Sequence, residues 1–278
     1  MTNFRAAVIL LPILLLAAFA WWTGRNVHEA ANERAERIVS ALADHTRRVL
    51  DVEETMLKSA LARVRGRAPD EIAADASLPA FLADLGLGIS GELMIVESET
   101  KRILASSRKR APGEAGLTKA SWPPIEHEGI YVGELTSQGT AGETGFTVSQ
   151  RDRRSGIIAV SWLSFDDSIP FYSGISHSSQ DAITLVRDDG AVLLMRPPGA
   201  DSLVNRFGAD SFFMRLIRGE PGTPAIAASP EDGIDRLWQI KKVEAHPVYG
   251  LDASSLRSSW LRAVAPPLGC LLCSHRGH

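Results

Sequence analysis

The chain has 278 residues, 45% of them hydrophobic, which is enough to bury a core and excludes wholesale disorder. A formal net charge of -3 lacks the basic excess of a nucleic-acid binder. The two cysteines, Cys270 and Cys273, leave the body of the chain without a disulfide framework or a thiolate metal site.

Arg5 precedes an uncharged apolar run over 6–22 (AAVILLPILLLAAFAWW), which Arg25 closes. Such a run, about 17 residues, is at the lower limit for crossing a hydrocarbon core of about 30 Å. Trp21 and Trp22 stand where an interfacial aromatic belt would, Arg5 favours a cytoplasmic N-terminus, and Pro12 is tolerated in a membrane helix. Ala18 and Ala20 around Phe19 also fit a cleaved signal peptide. The bulky tryptophans just beyond that cut favour the anchor. Both readings send the rest of the chain outside the cytoplasm.

A helix is predicted over 27–65, a stretch free of proline and glycine and rich in Ala, Glu, Arg and Leu. Ala31, Ala35, Ile38, Leu42, His45, Val49, Val52 and Met56 follow alternating steps of four and three, a coiled-coil-like seam. That seam suits either a homodimer or the chain's own sheets. His45 on it is either a pH switch or a tolerated polar residue at a helix contact. Residues 66–70 break the helix, and a shorter helical stretch follows over 70–85.

Strands are predicted over 92–97, 102–106, 130–136, 144–151 and 156–163, then a connecting helix over 165–172. The pattern restarts with strands at 182–186 and 191–195 around the turn Asp188-Asp189-Gly190. Leu93, Ile95, Val96, Ile103 and Leu104 recur ninety positions later as Ile183, Leu185, Val186, Leu193 and Leu194. In each copy a polar four-residue connection joins the pair as a hairpin. A helical segment and strands around 223–228, 235–243 and 247–251 complete the second copy. The fold class expected is α+β: a membrane helix, a long stalk helix, and two antiparallel-sheet modules in tandem.

Gly86, Gly88 and Gly91 match a dinucleotide fingerprint in spacing, but here a helix precedes them and a strand follows, the reverse of the order a phosphate site needs. Cys270, Cys273, His275 and His278 lie on a ragged basic tail rather than a scaffold for zinc. No nucleophile elbow, His-Glu-x-x-His helix or phosphate loop occurs, so no catalytic residue, metal or cofactor is assigned.

The order of elements, with ITLVRDDGAVLLMRPP over 183–198, GIDRLWQI over 233–240 and HPVYGLDASSLRSSW over 246–260, resembles the double Cache (PDC-like) sensor domains of bacterial receptors. The resemblance implies an anchor or signal segment at 1–26, a long helix at 27–66, a membrane-distal module at 67–175 and a membrane-proximal module at 176–260. It implies an inner-membrane receptor, mostly periplasmic, whose output is a histidine kinase, a diguanylate cyclase or a chemotaxis domain. The family's amine-binding signature is not visible, so no ligand class carries over. Residues 261–278 are expected to be a truncated second membrane segment or tail, with the output missing from this chain. The alternative is a stand-alone anchored solute-binding or adaptor protein.

Family ligands are small metabolites bound mainly in the distal module. Trp122, Tyr131, Ser149 and Arg151 are the candidate binding residues, an aromatic wall with a donor fork suited to a carboxylate. Strand alternation sets Phe146 and Val148 on one face and Ser149 and Arg151 on the other. Arg151 therefore belongs either to a pocket or to solvent.

Overall fold

The computed structural model describes residues 2–87, 91–108, 123–124, 127, 129–138, 143–164, 171, 174, 182–196, 206–219, 224–228 and 235–255. One helix, α1 (Thr2–Val64), runs for 63 residues, about 95 Å at 1.5 Å per residue. It stops where Gly66 takes a φ of 77°, a conformation costly for any residue with a Cβ.

Beyond it, the helical stretch expected over 70–85 is two short helices, α2 (Pro69–Ala73) and α3 (Leu78–Leu85). Asp75 divides them. Its carboxylate accepts from the Ser77 amide and hydroxyl and from Arg67, holding the chain in a turn. Pro69 and Pro79 open the two helices, where a missing N–H costs nothing.

Eleven strands follow among the described residues. The distal sheet holds β1 (Glu92–Glu97), β2 (Ile103–Ser106), β3 (Ile130–Val132), β4 (Thr136–Gln138), β5 (Glu143–Asp152) and β6 (Ile157–Ser164). The proximal module holds β7 (Ala182–Arg187), β8 (Val192–Arg196), α4 (Phe212–Arg218), β9 (Ala225–Ala228), β10 (Asp235–Lys242) and β11 (Val248–Ser255). Strand order is β2-β1-β6-β5-β3 in the first sheet, with β4 also on β5, and β8-β7-β11-β10-β9 in the second. The two orders are the same topology. The ninety-residue repeat reaches further still: the β1–β2 register slips between Ile95 and Val96, and the β7–β8 register between Leu185 and Val186. Both hairpins carry their irregularity at the same step.

Two expectations are corrected in detail. The strand expected over 130–136 is broken into β3 and β4, both paired to β5, with the Gly133 amide still donating to the Thr147 carbonyl (2.7 Å). The last strand runs on to Ser255, because Ala253, Ser254 and Ser255 continue the ladder opposite Trp238, Leu237 and Arg236 of β10. Of the connecting helix expected over 165–172, Phe171 is helical and the rest lies outside the described residues, as do Gly88 and 256–278.

The core is organised by α1, which packs on β5 and β6 in one module and on β10 and β11 in the other. Its buried stripe is Ala35, Ile38, Leu42, Thr46, Leu50, Glu53, Leu57, Leu61 and Val64. The seam expected from steps of four and three is buried through Leu42, turns outward over 45–52 and is buried again at Met56. Val49 is partly buried, His45 is half-buried and Val52 is 39% exposed. The physical reason is period: a straight α-helix repeats every 3.6 residues, so a 3.5-residue pattern drifts off one face. Ile38, Leu42 and Met56 are therefore buried within the chain itself.

At Gly250 of β11 the helix comes close to the sheet. A Cβ there would lie 2.9 Å from Leu42 Cδ2, so the leucine sits in a notch only glycine leaves open. In the proximal module the opposite face is covered by α4, capped by the Ser211 hydroxyl, which accepts from the Met214 amide (3.3 Å). Phe213, Met214 and Ile217 turn inward onto Val186, Trp238, Ile240 and Leu251.

Leu42→Ala removes a fully buried side chain that joins helix to sheet, and is expected to cost about 3–5 kcal/mol in denaturant unfolding. His45 stacks on Phe171 with ring centroids 3.7 Å apart. Burial, then the charge of Arg48, lowers its pKa from the ordinary value. The unfolded chain then holds the proton more tightly, so this contribution is neutral above the usual histidine pKa of about 6.5 and turns destabilising as pH falls below it. The pH dependence of unfolding is expected to flatten in that window in His45→Gln.

Candidate functional site

Antiparallel partners present their side chains to the same face of a sheet. Tyr131 pairs with Ser149, Ser149 with Val160, Thr147 with Trp162, and Arg151 with Ile158. Continuing across the sheet, Trp162 pairs with Glu92, Val160 with Met94 and Ile158 with Val96. These residues form the face of the distal sheet turned away from α1. Phe146 and Val148 lie on the other face, in the helix-side core. The β5–β6 register runs from Gly145 to Asp152 without a slip, so no bulge brings Phe146 to its neighbours' side.

The outer face has an apolar floor of Met94, Val96, Ile158 and Val160, separate from the main core. Set into it are polar atoms without partners. Ser149 is 0% exposed and its Oγ has no hydrogen-bond partner among the described residues. Trp162 is 1% exposed, and its Nε1 has none either. Arg151 is half-buried: Nη2 donates to the Pro123 carbonyl (3.3 Å), while the buried Nε is unpartnered. Each unmade buried hydrogen bond costs about 1–3 kcal/mol, and native interiors leave few of them. Such a face is suited to an occupant that brings acceptors.

The indole of Trp162 fits because two glycines flank it. A Cβ at Gly145 would lie 2.2 Å from the Leu163 carbonyl oxygen and 2.8 Å from Trp162 Cζ2. A Cβ at Gly91 would lie 3.1 Å from Trp162 Cδ1. Gly91 thus has a packing role, in place of the phosphate role its spacing mimics. Beside it Glu92, 4% exposed, accepts from the Ser106 hydroxyl (2.5 Å).

Three of the four candidate residues, Tyr131, Ser149 and Arg151, are therefore on one face, and Arg151 is not a solvent arginine. Trp122 lies outside the described residues. Sequence reasoning missed Thr147 and Trp162, although alternation along 157–164 puts Trp162 on the face of Ile158, the partner of Arg151.

Tyr131 also faces the second module. Arg187, at the end of β7 and 7% exposed in its side chain, donates from Nη1 to the Tyr131 hydroxyl (3.1 Å) and the Val132 carbonyl (2.5 Å). Its Nε and Nη2 fork onto the Asp189 carboxylate at 2.8 and 2.6 Å. Arg206 bonds both Asp189 and Glu134. Burial works against the charge on Arg187, but the hydrogen bond and charge of Asp189 outweigh it and hold the guanidinium protonated. Burial likewise raises the Asp189 carboxyl, and the donors of Arg187 and the Ala191 amide overcome it, leaving the carboxyl below the usual range.

No protein-family model matches the sequence, and no curated protein matches it. Solved structures do. The extracellular domain of rpHK1S-Z16, assigned as a histidine kinase, superposes with a TM-score of 0.64 at 14% identity, over 85% of this chain and 97% of that one. The periplasmic sensory domain of the Campylobacter jejuni chemoreceptor Tlp1 gives 0.59 at 12% identity, over 86% and 98%. The ligand-binding domain of the Pseudomonas fluorescens chemoreceptor CtaA, solved with L-isoleucine, gives 0.57 at 14% identity, over 85% and 97%.

The fold is that of the double Cache (PDC-like) domains. Of the structures named above, that of Tlp1 is a sensory domain and that of CtaA a ligand-binding domain. The hairpin and strand motifs over 183–198, 233–240 and 246–260 fall on β7–β8, β10 and β11, the framework of the second sheet.

Gly145→Ala is expected to cost about 2 kcal/mol or more in chemical unfolding, because the new methyl meets backbone that cannot swing aside. The tryptophan fluorescence of that variant should shift to longer wavelength as Trp162 is displaced.

Proposed function

We propose that this chain is the extracytoplasmic ligand-sensing region of a bacterial membrane receptor, of sensor histidine kinase or diguanylate cyclase type. The observation that carries the reading is the outer face of the distal sheet, where buried donors of Ser149, Arg151 and Trp162 stand unpartnered beside an apolar floor. Directed polar groups on an apolar wall are the usual make-up of a small-molecule site. The ligand is a small metabolite, with its acceptor groups turned to Ser149 and Arg151. Ligand-binding domains of similar fold support this, CtaA solved with L-isoleucine and the Pseudomonas aeruginosa receptor PctB with L-Arg.

In this reading residues 1–26 anchor the chain in the inner membrane, 67–175 form the distal module and 176–260 the proximal one. Among the described residues no helix is long and apolar enough to cross a membrane. The anchor rests instead on the run 6–22, and on Leu15, Phe19 and Trp22, which are exposed on α1 where lipid would cover them. A stand-alone solute-binding protein is less favoured, since the structures of similar fold are receptor domains. A dimer through the predicted seam is not part of the reading, because Ile38, Leu42 and Met56 are already buried within the chain.

The test is a thermal-shift screen of the L-amino acids, small carboxylates and purines on the chain in detergent, wild type against Arg151→Ala. At a hundred times its Kd, one compound should add about 2.7 kcal/mol of stability to the wild type. The shift should shrink or vanish in Arg151→Ala. No shift with any compound, or equal shifts in both proteins, makes the site wrong.

A further inference from the structure

We infer that Arg187 is the coupling residue through which the outer face of the distal sheet sets the conformation of the proximal β7–β8 turn and, through that turn, of α4. This deepens the proposed function, since it takes the face that bears Tyr131 as the ligand site; the experiment below needs no ligand and can fail independently.

The contacts are continuous. Tyr131 is the register partner of Ser149, so any change in the backbone of β3 or β5 at the site is a change in Tyr131. Its hydroxyl takes a hydrogen bond from Arg187, whose guanidinium carbon also lies 5.2 Å from the centre of the Tyr131 ring. The same guanidinium is held on its other edge by Asp189, in the turn between β7 and β8. A planar fork cannot follow one partner without rotating against the other. Arg206 doubles the link, bonding Glu134 on the distal side and the carboxylate and carbonyl of Asp189 on the proximal side.

The turn in its place is not free to absorb movement. Gly190 has a φ of 91°, and a Cβ there would lie 2.7 Å from the Phe207 carbonyl oxygen and 3.0 Å from Met214 Sδ of α4. The Phe207 amide donates to the Gly190 carbonyl (2.8 Å). The Phe207 ring packs on Phe213 at 4.3 Å, and Phe213 on Trp238 at 4.7 Å. A shift of Asp189 therefore displaces Phe207 and the aromatic cluster under α4. Contiguity alone does not demonstrate coupling, so the test must read a response at the far end.

The full chain, in detergent, is labelled with 5-fluorotryptophan, and its six tryptophan resonances are assigned by single Trp→Phe changes. Tyr131→Phe deletes one hydroxyl in the distal module. It is expected to move the Trp238 resonance by more than its linewidth, and to lose that effect in an Arg187→Lys chain, where the fork is gone. An unmoved Trp238 in a chain whose Trp162 signal reports a folded distal sheet overturns the inference. So does a shift of equal size in the Arg187→Lys background. Should Arg187→Lys not fold, Glu134→Gln takes its place: it should move Trp238, whereas Asp70→Asn, which breaks the off-path Asp70–Arg102 pair, should not. Equal shifts from those two variants sink the proposal as well. A failed ligand screen with a moving Trp238 would reject only the ligand site.

Discussion

Each of the two sheets has an inner face of Leu, Ile and Val that water would make costly to expose, at about 1.5–3 kcal/mol for every such side chain. One helix covers both. Because α1 presents Leu42, Leu50, Leu57 and Leu61 along a stripe of 3.6-residue period, it lies on β5–β6 and β10–β11, the equivalent strand pairs of the two modules. Everything else about the molecule follows from that sharing. The modules are fixed in order along the helix, their outer faces are left for other work, and the polar junction at Arg187 closes the gap between them.

The use made of the outer faces distinguishes the modules. In the proximal one α4 and its aromatic cluster fill the face with apolar contacts. In the distal one the face combines an apolar floor with Ser149 Oγ, Trp162 Nε1 and Arg151 Nε, which lack partners among the described residues. Identical topology thus supports a closed face in one copy and a polar-studded face in the other. Fold alone would not have told them apart.

Much of this was legible in the sequence because the signals were local. Apolar hairpins at a ninety-residue offset predicted the repeat, and alternation along β5 correctly separated Phe146 from Ser149 and Arg151. What was not legible depended on partners distant in the chain. The turn at Asp75 was hidden because Asp75 and Ser77 lay inside a stretch read as helical, while the donor Arg67 lay in the break before it. The seam on α1 misled over 45–52 because seven apolar positions and His45 cannot reveal which face a sheet will claim. Arg187 read as part of the polar connection of a hairpin, and its partners Tyr131 and Glu134 are more than fifty positions away. The role of Trp162 needed Gly91 and Gly145, one from each neighbouring strand.

The notch at Gly250 bears on how such a helix can travel. With Leu42 seated where a Cβ has no room, α1 is keyed to the proximal sheet at a definite height. Sliding by one residue, about 1.5 Å, would lift the leucine out of the notch and bring the neighbouring, differently pointed side chain against β11. Only a displacement near a whole turn, about 5.4 Å, sets another residue of the same stripe, Ile38 or Thr46, opposite the glycine. The glycine thus marks one height at which Leu42 seats on the sheet, and the spacing of the stripe puts the next residue able to take that place about one turn away.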